Sequence, residues 1–177
     1  MSKLVEKKIS SQTVYKGNFL DVKKDNVVLP NGKNSTREWI NHPGAVVIVP
    51  ILPKGKIALI RQFRYAMGSE FIELPAGKID KGETPDECAI RELEEEIGFK
   101  TKNLNFIAMI HPAIGFANEN MSLYLATDLV QTNINRDSDE FLELMPTSLE
   151  HALDLVWSNK ITDVKTIIGI LWYQKIY

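Results

Sequence analysis

Apolar positions along the chain follow two periods. Short runs, polar on alternate residues, read as successive strands: 12–15, then the runs 19–22 and 26–29, and 35–40 as a third strand. Turns at Lys16-Gly17-Asn18 and Pro30-Asn31-Gly32 separate them, and His42-Pro43-Gly44 closes the series. A continuous apolar run at 45–52, the turn Pro53-Lys54-Gly55 and a second run at 56–64 predict a hairpin. Further strands are expected at 71–74, 104–110, 121–127 and 140–145, with residues 74–77 and 80–83 as loop. The spacing changes to the helical period in three places. Thr84 as N-cap, Pro85 at the first position, Glu87 in a capping box and Gly98 beyond the end delimit a helix. Leu149, Ala152, Leu153 and Val156 predict a helix over 148–158, and 163–175 reads as a last, apolar helix. The order of elements implies an α+β or α/β fold. The polar alternation before residue 43 marks 1–42 as a small antiparallel sheet of its own, partly free to pack on a second subunit, ahead of a main domain at 43–177.

Composition narrows the class. The 177 residues are 44% hydrophobic and 25% charged, which is ordinary for a soluble globular chain. A net charge of −2 argues against nucleic-acid binding by bulk electrostatics. The longest apolar run is too short to span a bilayer, so no membrane partner is expected. The first ten residues hold no apolar core of the kind a signal peptide needs. A lone cysteine, Cys88, fits a reducing compartment and reads as a packing residue; the expected location is the cytoplasm.

One stretch does not fit simple packing. The helix after Thr84 ends in Glu94-Glu95-Glu96, with Glu92 one turn upstream. Carboxylates there face the negative end of the helix dipole. Glu92 repels Glu95 and Glu96 at i,i+3 and i,i+4, by a few tenths of a kcal/mol each. At about 100° per residue, Glu92, Glu95 and Glu96 share one side. Ala89, Ile90, Leu93 and Ile97 fill the adjoining apolar arc, while Arg91 and Glu94 are expected to point elsewhere. Either a cation offsets the acidic side or the face tolerates the strain; a hard divalent metal is the natural candidate, because it suits carboxylate oxygens.

Gly77, Glu83, Arg91, Glu92, Leu93, Glu95, Glu96, Gly98 and Phe99 stand at the spacing G-x5-E-x7-R-E-U-x-E-E-x-G-U, where U is bulky and apolar. This resembles the signature of the Nudix hydrolases. The resemblance implies an α/β/α sandwich around a mixed sheet, preceded here by the small N-terminal sheet. Outer segments look like the ADP-ribose pyrophosphatase branch, which hydrolyses nucleoside diphosphate sugars. They are Arg37-Glu38, 42–46, 61–64, Glu73-Leu74-Pro75-Ala76-Gly77 and 139–143. The branch's Ser-Pro-Gly-Phe loop is altered here to His111-Pro112-Ala113-Ile114-Gly115-Phe116. The implied reaction is Mg²⁺-dependent cleavage of a diphosphate, Mn²⁺ being a substitute metal, to a nucleoside monophosphate and a sugar phosphate. Two alternatives stay open: a non-catalytic nucleotide-sugar sensor, and a hydrolase of dinucleoside polyphosphates.

The resemblance also distributes roles. Glu92, Glu95 and Glu96, with the carbonyl of Ala76, are the implied metal ligands. Gly77, Glu83 and Arg91 are structural parts of the motif. A mobile acidic loop supplies the base in the branch; Glu140 is the nominee, with Asp139 and Glu143 as rivals. Arg64, ahead of Arg61, is the implied phosphate arginine, and Arg37, Glu38 and Glu119 are further substrate contacts. Tyr15, Phe19 and Trp39 suit stacking on a base or packing in a core. His42, His111 and His151 receive no role. The branch also implies a homodimer that exchanges its N-terminal region.

Overall fold

A computed structural model describes residues 3–132 and 141–176. The chain divides into two compact units, Met1–Pro43 with Ala113–Asn120, and Gly44–Pro112 with Met121–Tyr177. The first is a three-stranded antiparallel sheet in the order β1-β2-β3, made of Lys7–Lys16, Asp21–Val28 and Asn34–Ile40. Strand β2 is continuous where two separate runs were expected. Its polar middle, Lys23-Lys24-Asp25-Asn26, is carried by ladders on both sides, to β1 and to β3. β1 is exposed along its whole length.

In the second unit, β4 (Ala45–Pro50) is buried at every residue. It runs parallel to β9 (Met121–Gln131) and antiparallel to β7 (Ala76–Lys78), and β8 (Phe99–Ile110) completes a mixed sheet in the order β7-β4-β9-β8. β5 (Ile57–Arg64), β6 (Ser69–Glu73) and β10 (Leu142–Thr147) form a second sheet in the order β10-β5-β6. The expected hairpin of β4 with β5 is therefore corrected. Just past β4, Ile51 bridges Ile57, and no ladder joins the two strands among the described residues. Both edges of β4 are already taken by β7 and β9, so β5 pairs elsewhere. The expected loop at 74–77 is corrected too: Ala76 and Gly77 are in β7 and pair with Val47 and Val46.

Alternation along β4 sends its side chains to two cores. Val46 and Ile48 pack with Cys88, Ala89, Leu93 and Ile97 of helix α1 (Pro85–Ile97). Val47 and Val49 pack with residues of α2 (Leu149–Trp157) and α3 (Val164–Ile176), among them Ala152, Val156, Ile170 and Tyr173. Helices thus cover both faces, an α/β/α sandwich. α1 starts as its sequence dictates: the Thr84 side chain accepts from Glu87 N while Glu87 accepts from Thr84 N. Gly98 ends it in the left-handed region at φ 72°. Ile90, expected on the apolar arc, is instead 41% exposed, because the arc that meets the sheet is narrower than the sequence pattern.

Candidate active site

The acidic side of α1 faces β7. Glu92 and Glu96 are buried and Glu95 is half-buried. Glu96 Oε2 accepts from Ala76 N at 3.1 Å, which ties the helix to the strand. Glu92 lies so close to Gly77 that a Cβ there would overlap its carboxylate. Glycine is required at 77 for close approach rather than for backbone freedom.

Arg91 does not point away, as expected from the helical wheel. Its long side chain folds back across the cluster. Nε and Nη2 donate to Glu83 at 2.8 and 2.9 Å, Nη1 donates to Glu92 at 2.7 Å and to Glu95 at 2.9 Å, and Nη2 also reaches the carbonyl of Lys78. The Arg91 hydrogen bonds hold the Glu83 carboxyl down to about 2. Arg91 itself is raised, chiefly by the bond to Glu83. Part of the cation that the acidic helix requires is therefore internal, and Lys100 meets Glu94 at 3.0 Å. Cys88 is buried beside Arg91, and burial pushes its thiol up to about 12, so it is no nucleophile.

The donor set suits a hard divalent cation in kind: carboxylate oxygens of Glu92, Glu95 and Glu96 beside the Ala76 peptide. Among the described residues no three acid, histidine or cysteine side chains are already gathered in metal-holding geometry. A cation that keeps waters in its shell, as Mg²⁺ does, needs few protein ligands.

Arg64 stands at the end of β5, where Glu73 of β6 takes it bidentately: Nε to Oε1 and Nη2 to Oε2, both 2.7 Å. Burial pushes the Glu73 carboxyl up, but Arg64 and Lys165 outweigh it and hold the group below its ordinary value. Glu96 is near enough to add to the raising of Arg64, which is due first to Glu73. Arg61 pairs with Glu143 of β10 and, at 3.7 Å, with Glu70. Glu143 is thus engaged, while Asp139 and Glu140 lie outside the described residues.

The remaining candidates belong to the other unit. Arg37 pairs with Glu6 at 2.5 Å, Glu38 with Lys24 at 3.3 Å, and Glu119 meets His42 at 3.7 Å. Tyr15 and Phe19 are exposed and Trp39 is half-buried. Asp21, which sequence reasoning passed over, is buried between Lys23, Asn41 and Lys16, and the first of these does most to hold it at about 2.

Sequence reasoning also missed Asp163, Lys165 and Thr166 and gave Glu73 no role. One signal was available. A lysine in the first turn of an apolar helix faces the positive end of the dipole, which calls for a nearby acid.

Comparison with known proteins agrees with this geometry. Residues 41–163 match the NUDIX domain, and residues 6–40 match the nucleoside diphosphate sugar hydrolase N-terminal domain. The chain is 42% identical to an ADP-ribose pyrophosphatase of Bacillus subtilis (strain 168), over 98% of this chain and 95% of that one. It is 37% identical to a methanol dehydrogenase activator of Bacillus methanolicus, over 98% and 96%. Among solved structures, an ADP compounds hydrolase superposes with a TM-score of 0.88 at 25% identity, covering 99% of this chain and 95% of its own. With the signature helix, its Gly77 contact and the domain match coinciding on one α/β/α sandwich, the chain belongs to the Nudix family.

Proposed function

We propose that this protein hydrolyses the diphosphate of nucleoside diphosphate sugars, ADP-ribose among them, to a nucleoside monophosphate and a sugar phosphate. The observation that carries the reading is the buried Glu92 and Glu96 pair, locked against β7. The name of the 42% identical relative supplies the substrate class.

Glu92, Glu95, Glu96 and the Ala76 carbonyl would hold Mg²⁺. When bound, a divalent ion offsets phosphate charge and lowers the pKa of an attacking water. Arg64 offers its guanidinium to a phosphate oxygen. Glu83 keeps Arg91 folded over the helix, so that Glu92 and Glu95 stay on one side. Glu140 takes the proton of the attacking water. Of the rivals, Glu143 is already engaged by Arg61, which leaves it less free to reach a water. Arg37, Glu38 and Glu119 contact the nucleotide.

The exposed β1 supports a homodimer completed through the N-terminal sheet. Light scattering at micromolar concentration is expected to give twice the chain mass; a monomer removes the idea. Among the described residues no helix is long and apolar enough to cross a membrane. The single cysteine fits the cytoplasm.

Incubation with Mg²⁺ and a panel of ADP-ribose, hexose nucleotides and dinucleoside polyphosphates, resolved by chromatography, tests the reading. AMP with ribose 5-phosphate is the expected product pair from ADP-ribose. No turnover of any diphosphate would move the protein to the sensor class. The name of the 37% identical relative favours a second reading, in which this chain activates a dehydrogenase. A rise in dehydrogenase rate with no nucleotide-sugar turnover would carry that reading instead.

A further inference from the structure

A buried ionic chain lies at the start of α3, built from residues other than the metal-ligand set. Asp163 Oδ2 accepts from Thr166 N at 3.1 Å and from Thr166 Oγ1 at 2.6 Å, so it caps the helix. Lys165 Nζ, in the same turn, donates to Asp163 Oδ2 at 2.9 Å and to Glu73 Oε2 at 2.5 Å. Leu74 N donates to Thr166 Oγ1 at 2.8 Å. Lys165, Thr166 and Glu73 are buried, whereas the Arg64 side chain they lead to is 46% exposed. Arg64, Met67, Phe71, Glu73, Asp163 and Lys165 line an open depression of about 280 Å³. The contacts thus run from the core to one accessible guanidinium.

Lys165 is in an expensive place. It sits at the positive end of a helix dipole, and its burial freezes the rotamers of a long flexible side chain. Its charge, with that of Arg64, offsets Glu73 and Asp163, so balance accounts for a cation here. What Arg64 does not provide is orientation. The terminal carboxylate torsion of a glutamate is broad, so Glu73 and its fork-bound guanidinium can swing together. A third donor on Oε2, anchored by Asp163, fixes the carboxylate plane and with it the direction in which Arg64 presents Nη1.

We propose that Lys165 is a positioning residue for diphosphate hydrolysis, acting through Glu73 to fix the plane in which Arg64 meets the substrate. This rests on the reading of Arg64 as the phosphate arginine given above. Asp163 and Thr166 serve the same end by tying Lys165 and the Glu73–Leu74 backbone to α3.

A kinetic double-mutant cycle with Lys165→Met and Arg64→Met tests it. Lys165→Met is expected to lower kcat/KM by roughly 10- to 100-fold, as misplacement of a binding group does. In the Arg64→Met background the same change is expected to have less than about a 2-fold effect, because the group it positions is gone. Multiplicative effects overturn the proposal. Should Lys165→Met not fold, Lys165→Gln, neutral but able to donate to Glu73, is expected to keep kcat/KM within about 3-fold of wild type, and a loss of about 10-fold or more overturns the proposal. Exchange of the Arg64 Nε proton with water gives a readout independent of turnover. It is expected to quicken by about 10-fold or more in Lys165→Met, beyond any quickening of the backbone amides of β5 and β6 in the same variant; an Nε rate that moves only with those amides overturns the proposal. If the wild-type protein cleaves no diphosphate, the hydrolase reading and its catalytic consequence fall together. Turnover with a multiplicative cycle rejects Lys165 alone.

Discussion

Gly77→Ala puts the contact between β7 and α1 to a direct test. The added Cβ would occupy the space of the Glu92 carboxylate. Glu92 is 7% exposed, and its Oε1 accepts from Arg91 Nη1 at 2.7 Å, so it cannot step aside without breaking that bond. Overpacking of this kind costs about 1–3 kcal/mol. For a chain of this size each kcal/mol shifts the melting temperature by about 2–4 °C. A fall of roughly 2–12 °C is therefore expected by calorimetry. Moving a metal-ligand carboxylate is expected to raise the Mg²⁺ concentration for half-maximal hydrolysis by about 10- to 100-fold. Gly115→Ala is the control: a Cβ there meets nothing within 4 Å, and the change is expected to stay within about 0.5 kcal/mol of wild type. A Gly77→Ala protein that melts within about 1 °C of wild type and needs no more Mg²⁺ would show that Glu92 is not packed on this strand, and the argument from its placement would fail.

Three further outcomes are expected. Glu96→Gln keeps an oxygen acceptor for Ala76 N but loses the charge, so turnover should nearly vanish while the melting curve holds; a comparably active mutant rejects its metal role. Glu140→Gln should slow turnover by roughly 10²–10⁴ with Mg²⁺ affinity retained, and a normal rate would hand the base to another residue. Glu83 is held at about 2 against an ordinary 4.5, so its pair with Arg91 stabilises the fold fully above pH 4.5, and that contribution drains away as pH falls toward 2. In urea melts at stepped pH, Glu83→Gln should flatten the acid limb in that window; an identical slope in the mutant would assign the acid loss to other groups.

Much of the fold was legible because its signals are local. The capping box at Thr84 and Glu87, the αL stop at Gly98 and the apolar spacing of Leu149, Ala152, Leu153 and Val156 each need only a few neighbouring residues, and helices stand there. What could not be read was pairing. The partition of β4 and β5 into different sheets depends on β9, more than seventy residues further along, taking one edge of β4. Three-residue β7 exists only because Val46 and Val47 offer it a ladder. Likewise the polar stretch Lys23-Lys24-Asp25-Asn26 is strand because β1 and β3 flank it. No pattern within such a stretch announces a partner supplied from elsewhere in the chain.

The site was legible where charge made the sequence anomalous. Acids at the C-terminal end of α1 oppose its dipole, and that conflict pointed to a cation before any geometry was known. It did not reveal that Arg91 would supply part of the answer, because a helical wheel fixes where a Cα lies and not where a long side chain ends. The same logic, applied at the other end of a helix, exposes Lys165: a cation against a positive helix terminus, answered by Glu73 from a strand ninety-two positions earlier. Both anomalies meet on one short segment. Glu73 receives Lys165 and Arg64, Leu74 N donates to Thr166, and Ala76 N donates to Glu96. A segment pinned by α3 on one side and α1 on the other leaves little freedom between Arg64 and the acids. That rigidity is what a reaction needs when one group must grip a phosphate while others hold the ion that polarises it.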